Sequence, residues 1–192
     1  MTAAVDLESK EPQRLELGAI AVHHVAYTVP NLDRAIGFFT NVLGGRLVYR
    51  EGPIADPKGD WMVRHLNVEA GAYAHIAMIR LGPVTNLELF EYVASGQRRS
   101  MPRNSDWGGH HLAIHVRDVD AAVAYLRMQP DVEILGGPQT ISDGPLSGNR
   151  WCYFLTPWGM QMEVLDAPTG MPYEHMTCDR LFRWSAAKGG SW

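Results

Sequence analysis

With 192 residues, 46% of them hydrophobic and 20% charged, the chain has the composition of an ordinary globular protein, long enough for one domain or two small joined ones. A formal net charge of −4 and the lack of any dense Lys/Arg run exclude nucleic acid as an expected partner; Gln97-Arg98-Arg99 is too short to count. Met1 to Leu17 lacks an apolar signal-type core, no stretch is apolar enough to span a bilayer, and Cys152 and Cys178 stand far apart without CxxC spacing. A cytoplasmic protein with no membrane partner is therefore expected, with Cys152 as a buried small residue.

The first predicted element is a strand from His24, in which Val25, Tyr27 and Val29 alternate with other residues. Asn31 stands where an N-cap belongs, and Leu32, Ala35, Ile36 and Phe39 follow at the spacing of an amphipathic helix that Gly44-Gly45 closes. Strands are expected over Arg46 to Arg50, Ala72 to Leu81 and Asn86 to Val93. Between the first two, Glu51 to Val68 carries Pro53, Pro57 and Gly59 and reads as an insertion or lid. A join rich in Gly, Arg, Ser, Pro and Asn follows, from Ser95 to Asp106.

The pattern then recurs. Leu112, Ile114 and Val116 alternate, Asp118 is placed to cap, and Val119, Ala122, Val123 and Leu126 form an apolar helical stripe ended by Pro130. Strands are expected over Val132 to Leu135, Trp151 to Leu155 and Gln161 to Leu165; the tail from Pro168 shows no element. Aligned without gaps at an offset of 87, His24 to Phe39 and His111 to Leu126 share five of sixteen residues: His24/His111, Ala26/Ala113, Val29/Val116, Asp33/Asp120 and Ala35/Ala122. The chain is thus expected to be an α+β protein of two βαβββ modules, 20–95 and 106–167, followed by a tail, 168–192.

Strand parity selects the candidate site. His24 and His111 have the parity opposite to the apolar set that packs under the helix. In the last strand of each module, Leu87 and Leu89, like Met162 and Val164, mark an apolar face from which Glu88 and Glu163 point away. Two imidazoles and two carboxylates suit one divalent metal, whether zinc, nickel, cobalt, manganese or ferrous iron, and a carboxylate there can act as general base. His23 and His110 share the apolar parity and read as structural residues or as partners of the ligands.

These motifs, His24-Val-Ala-x-x-Val-x-Asn-Leu-Asp-x-Ala with Phe38-Phe39, Leu43-Gly44 and Leu87-Glu88-Leu89, then His111 to Leu126 with Met162-Glu163-Val164, resemble the vicinal oxygen chelate superfamily, the glyoxalase, bleomycin-resistance and extradiol dioxygenase group. The resemblance spans about residues 20 to 167 and implies paired βαβββ modules forming a U-shaped mixed sheet around a metal. It also implies His24, Glu88, His111 and Glu163 as the metal ligands, since microbial glyoxalase I uses His, Glu, His, Glu. Extradiol dioxygenases lack a carboxylate ligand at the position equivalent to Glu88. Glyoxalase I-like or epimerase-like proton transfer through an enolate or enediolate is therefore expected, on a small oxo or thioester substrate, with Glu163 or Glu88 as catalytic base. A ferrous-iron ring-cleaving dioxygenase and a non-catalytic drug-sequestering binder are the alternatives. A homodimer is expected, with the site either within one chain or across the dimer. Trp61, Arg150, His115 and Thr28 are candidates to meet the substrate.

Overall fold

The computed structural model describes Gly18 and residues 21–181 of the chain. The chain divides into two compact units, one over Ala21–Met101 and the other running on from Pro102. The expected α+β modules are both present.

In the first module, β1 (Val25–Thr28) leads into α1 (Leu32–Gly37) and a π-helical turn over Phe38–Val42. There follow β2 (Arg46–Ala55), α2 (Trp61–Leu66), β3 (Tyr73–Leu81) and β4 (Thr85–Val93). The four strands form one mixed sheet in the order β1-β4-β3-β2, with β1 parallel to β4 and the other pairs antiparallel. The apolar residues of alternating parity meet under the helix: Val29, Leu32, Ala35, Phe39, Ile79, Leu87 and Leu89 are all buried. Burying each of the larger ones stabilises the fold by about 1.5–3 kcal/mol.

The regular helix expected through Phe39 widens after Gly37, with the Leu43 N–H donating to the Phe38 carbonyl at 3.3 Å. Consecutive residues of a regular α-helix point about 100° apart. Phe38 and Phe39 are nevertheless both buried, and the wider turn admits both rings to the core. The chain then passes close to its own helix: a Cβ on Gly45 would lie 2.7 Å from the Phe39 carbonyl oxygen, so glycine is required there.

The lid expected over 51–68 is largely regular structure instead. β2 runs on to Ala55 because it pairs with β3 as far as Ala55↔Tyr73, across a register shift between Glu51 and Ile54. Asp56 then accepts the Gly59 and Trp61 N–H groups at 3.0 and 2.8 Å, and α2 starts there and buries Met62.

The second module repeats the plan with β5 (Leu112–His115), α3 (Val119–Arg127), β6 (Glu133–Thr140), β7 (Arg150–Leu155) and β8 (Gln161–Asp166), in the order β5-β8-β7-β6. β6 is longer than expected because it resumes pairing after a shift between Leu135 and Gln139. Cys152 is fully buried, as expected. The tail contains an element after all, a 3₁₀ turn at Pro172–His175, tied by the Tyr173 N–H to the Pro145 carbonyl at 3.0 Å with Met171 buried beneath it. That anchor is a contact distant in sequence and leaves no periodic signal.

One device recurs at both helix starts. Asn31 and Asp118 cap as expected, accepting the Arg34 and Ala121 N–H groups at 2.7 and 3.0 Å. A second carboxylate from the last strand adds to each cap: Glu91 accepts the Leu32 N–H at 2.6 Å, and Asp166 the Val119 N–H at 3.2 Å. Among the described residues no helix is long and apolar enough to cross a membrane.

Candidate active site

His24 and His111 lie immediately before β1 and β5, on the faces turned away from the helix-packed sides. The parallel ladders set Ala26 level with Glu88 and Ala113 level with Glu163, so each histidine is two residues, one strand repeat, from a glutamate of its own parity. The side chains close that gap. His24 Nε2 lies 3.2 Å from Glu88 Oε2, and His111 Nε2 lies 3.2 Å from Glu163 Oε2.

The structure therefore brings together His24 with Glu88 in one module and His111 with Glu163 in the other, at the same atom-to-atom distance. Each pair lies within one module, and among the described residues no three His, Cys, Asp or Glu side chains form a metal-holding group. The donor chemistry of each pair nonetheless fits a metal. Nitrogen and oxygen donors about 2.0–2.2 Å from one divalent ion stand about 3 Å apart, and the nitrogen and oxygen of each pair already do.

The two pairs have different surroundings. Glu163 is buried, and burial pushes its carboxyl above the usual glutamate value, with the His111 charge and hydrogen bond pulling the other way. Across the sheet from Glu163 the register places Tyr153, where Glu88 faces Met78. The Tyr153 ring meets the His111 imidazole edge-on, with centroids 5.1 Å apart. Burial and then the Glu163 charge raise the Tyr153 phenol, and a hydrogen bond from Asn104 lowers it. On their remaining ring nitrogens, His24 Nδ1 faces His23 Nδ1 at 2.9 Å, whereas His111 Nδ1 faces the Asn104 amide oxygen at 3.1 Å. His23 is thus a direct partner of His24, while His110 instead meets the Gly108 carbonyl at 3.0 Å.

Glu91 and Asp166, three residues beyond the two glutamates and of opposite parity, face the helix starts and not the histidines. Of the residues expected to meet substrate, Arg150 is engaged by Asp120 through two contacts of 2.6 and 3.0 Å. Trp61 lies half exposed against His65, and His115 is exposed on β5. Thr28 lines an open cleft with Leu66, Glu69, Tyr92 and Arg98 in the first module. Sequence reasoning missed Asn104 and Tyr153. Tyr153 had a signal, because it shares the alternation of Trp151 and Leu155 opposite the Glu163 strand; Asn104, in an irregular join, had none.

Comparison with known proteins identifies relatives of the whole chain. Over 178 residues, 91% of this chain and 96% of the other, the chain is 62% identical to a 2-epi-5-epi-valiolone epimerase from Actinomyces sp.. It is 30% identical over 153 residues to the uncharacterised protein YaeR of Escherichia coli (strain K12), covering 78% of this chain and 98% of that one. A crystal structure of a glyoxalase family protein from Bacillus cereus superposes with a TM-score of 0.57 at 20% identity, over 84% of this chain and 99% of that one, and shares the fold. The chain is an enzyme of the epimerase-like kind that the four-residue pattern leads one to expect. Residues 21–164 match the model of the Glyoxalase/Bleomycin resistance protein/Dioxygenase superfamily, and the chain belongs to that superfamily.

Proposed function

We propose that this enzyme inverts a carbon beside the carbonyl of a polyhydroxylated cyclic ketone, 2-epi-5-epi-valiolone or a close relative, and that His24, Glu88, His111 and Glu163 hold a divalent metal for that reaction. The observation that carries this reading is the repetition of one His–Glu pair, at 3.2 Å, on corresponding strands of both modules. The substrate is taken from the relative that is 62% identical over nearly its whole length.

A hydrogen on a carbon next to a carbonyl can be removed because the electron pair left behind spreads onto the carbonyl oxygen. When bound, a divalent metal supplies a Lewis acid that stabilises the negative charge on that oxygen. Glu163 takes the proton: burial makes its carboxylate a stronger base than an exposed glutamate. Glu88 returns a proton to the opposite face of the carbon, so one C–H bond breaks, one forms, and the centre is inverted. His24 and His111 would hold the metal through Nε2, the nitrogen that lies beside each carboxylate.

The test is an assay with 2-epi-5-epi-valiolone in deuterated water. Turnover should place one solvent deuterium on the inverted carbon, and stripping the protein with a chelator should stop it. Inversion without deuterium uptake, or undiminished turnover in the fully stripped protein, would refute the reading.

A further inference from the structure

The second module surrounds its histidine in a way the first does not. His111 has Glu163 at Nε2, Asn104 at Nδ1 and the Tyr153 ring against its edge. An amide oxygen can only accept a hydrogen bond, so the His111 nitrogen facing Asn104 must carry the proton. An imidazole that coordinates through one nitrogen must bear its proton on the other. Asn104 thereby reserves Nδ1 for the proton and leaves Nε2, the nitrogen beside Glu163, as the donor.

An asparagine can do this only if its amide does not turn over and present the NH₂ group instead. Here the amide oxygen is the atom turned to His111, at 3.1 Å from Nδ1. No such device exists at His24. Its Nδ1 faces another imidazole nitrogen at 2.9 Å, which can serve as donor or acceptor and therefore imposes neither tautomer.

We infer that Asn104 is a positioning residue that fixes the Nδ1–H tautomer of His111 and so makes the second module's pair the pre-set half of the metal site. This rests on the metal reading proposed above. Asn104 comes from the irregular join preceding β5 and reaches back over seven residues to its histidine. The join thus contributes to the site as well as linking the modules.

The experiment measures Zn²⁺ affinity by chelator competition in the full-length protein, together with nitrogen-15 spectra of its histidine rings in the Zn²⁺-loaded form. Asn104→Ala should weaken Zn²⁺ about 10- to 100-fold, the usual effect of losing such a partner. It should also remove the slowly exchanging Nδ1 proton of His111. Asn104→Asp, which keeps an accepting oxygen, should restore affinity to within a few-fold. Zn²⁺ binding as tight in Asn104→Ala as in the unaltered protein, with the His111 ring proton still protected, would overturn the inference and leave the metal reading standing. Failure of the unaltered protein to bind Zn²⁺ would overturn both.

Discussion

The two modules share a strand order, a register and a His–Glu pair at 3.2 Å, yet the ground around each pair differs. Glu88 faces Met78 and its histidine leans on a second histidine; Glu163 faces Tyr153 and its histidine leans on an amide. What a βαβββ module needs in order to fold is kept in both copies: the apolar face, the caps and the second carboxylate at the helix start. The surroundings of the polar face differ between the copies, with Tyr153 and Asn104 in one and Met78 and His23 in the other. Two copies of one scaffold can in this way present two similar carboxylates in different surroundings.

The largest expected effect separates the two glutamates. Glu163→Gln should lower kcat by about 10²–10⁴-fold, the usual contribution of a general base, and should also abolish exchange of the substrate's own C–H with deuterated water. Glu88→Gln should lose inversion while still exchanging that hydrogen, since removal and return on the Glu163 side survive. Loss of both exchange and inversion in Glu88→Gln would break the division of labour.

Next come the buried equivalents Leu87 and Met162, both fully enclosed. Alanine at either position should cost about 2–5 kcal/mol in denaturant unfolding, as large-to-small core changes do. A cost below about 1 kcal/mol at one site alone would show that the modules are unequally packed.

Smaller again are the caps. Asn31→Ala and Asp118→Ala should each cost about 1 kcal/mol. Equal losses support the repeated device; a negligible loss would mean that Glu91 or Asp166 carries the helix start unaided.

The finest comparison is in pH. Burial holds the folded Glu163 carboxyl above its unfolded value, so the fold favours its neutral form. The stability it contributes is present below the ordinary glutamate range and is lost as pH rises through the raised value. In metal-free protein, thermal melts should therefore show Glu163→Gln gaining on the unaltered chain across that window. A gap that does not change with pH would mean the carboxyl is not held up by burial.

Period-two and period-3.6 patterns, repeated at an offset of 87, were enough to read both modules and their caps, and to select four candidate site residues, from the chain itself. The reason is local: the side-chain direction of a strand or helix residue follows from its position, so parity alone separated His24 from His23 and Glu88 from Glu91. Lengths decided by pairing were not legible in this way. β2 and β6 extend past their apparent ends because a neighbouring strand continues to accept them across a register shift. The π-helical turn at Phe38–Val42 answers to packing, which must admit two adjacent rings. Asn104 reaches His111 from an irregular join, and Tyr153 reaches it from another strand. Neither contact has a period. The sequence by itself determined which residues are candidates for the site and which pair across neighbouring strands. Only the tertiary structure decided what stands beside each of them, because those neighbours come from other segments through contacts no local pattern encodes.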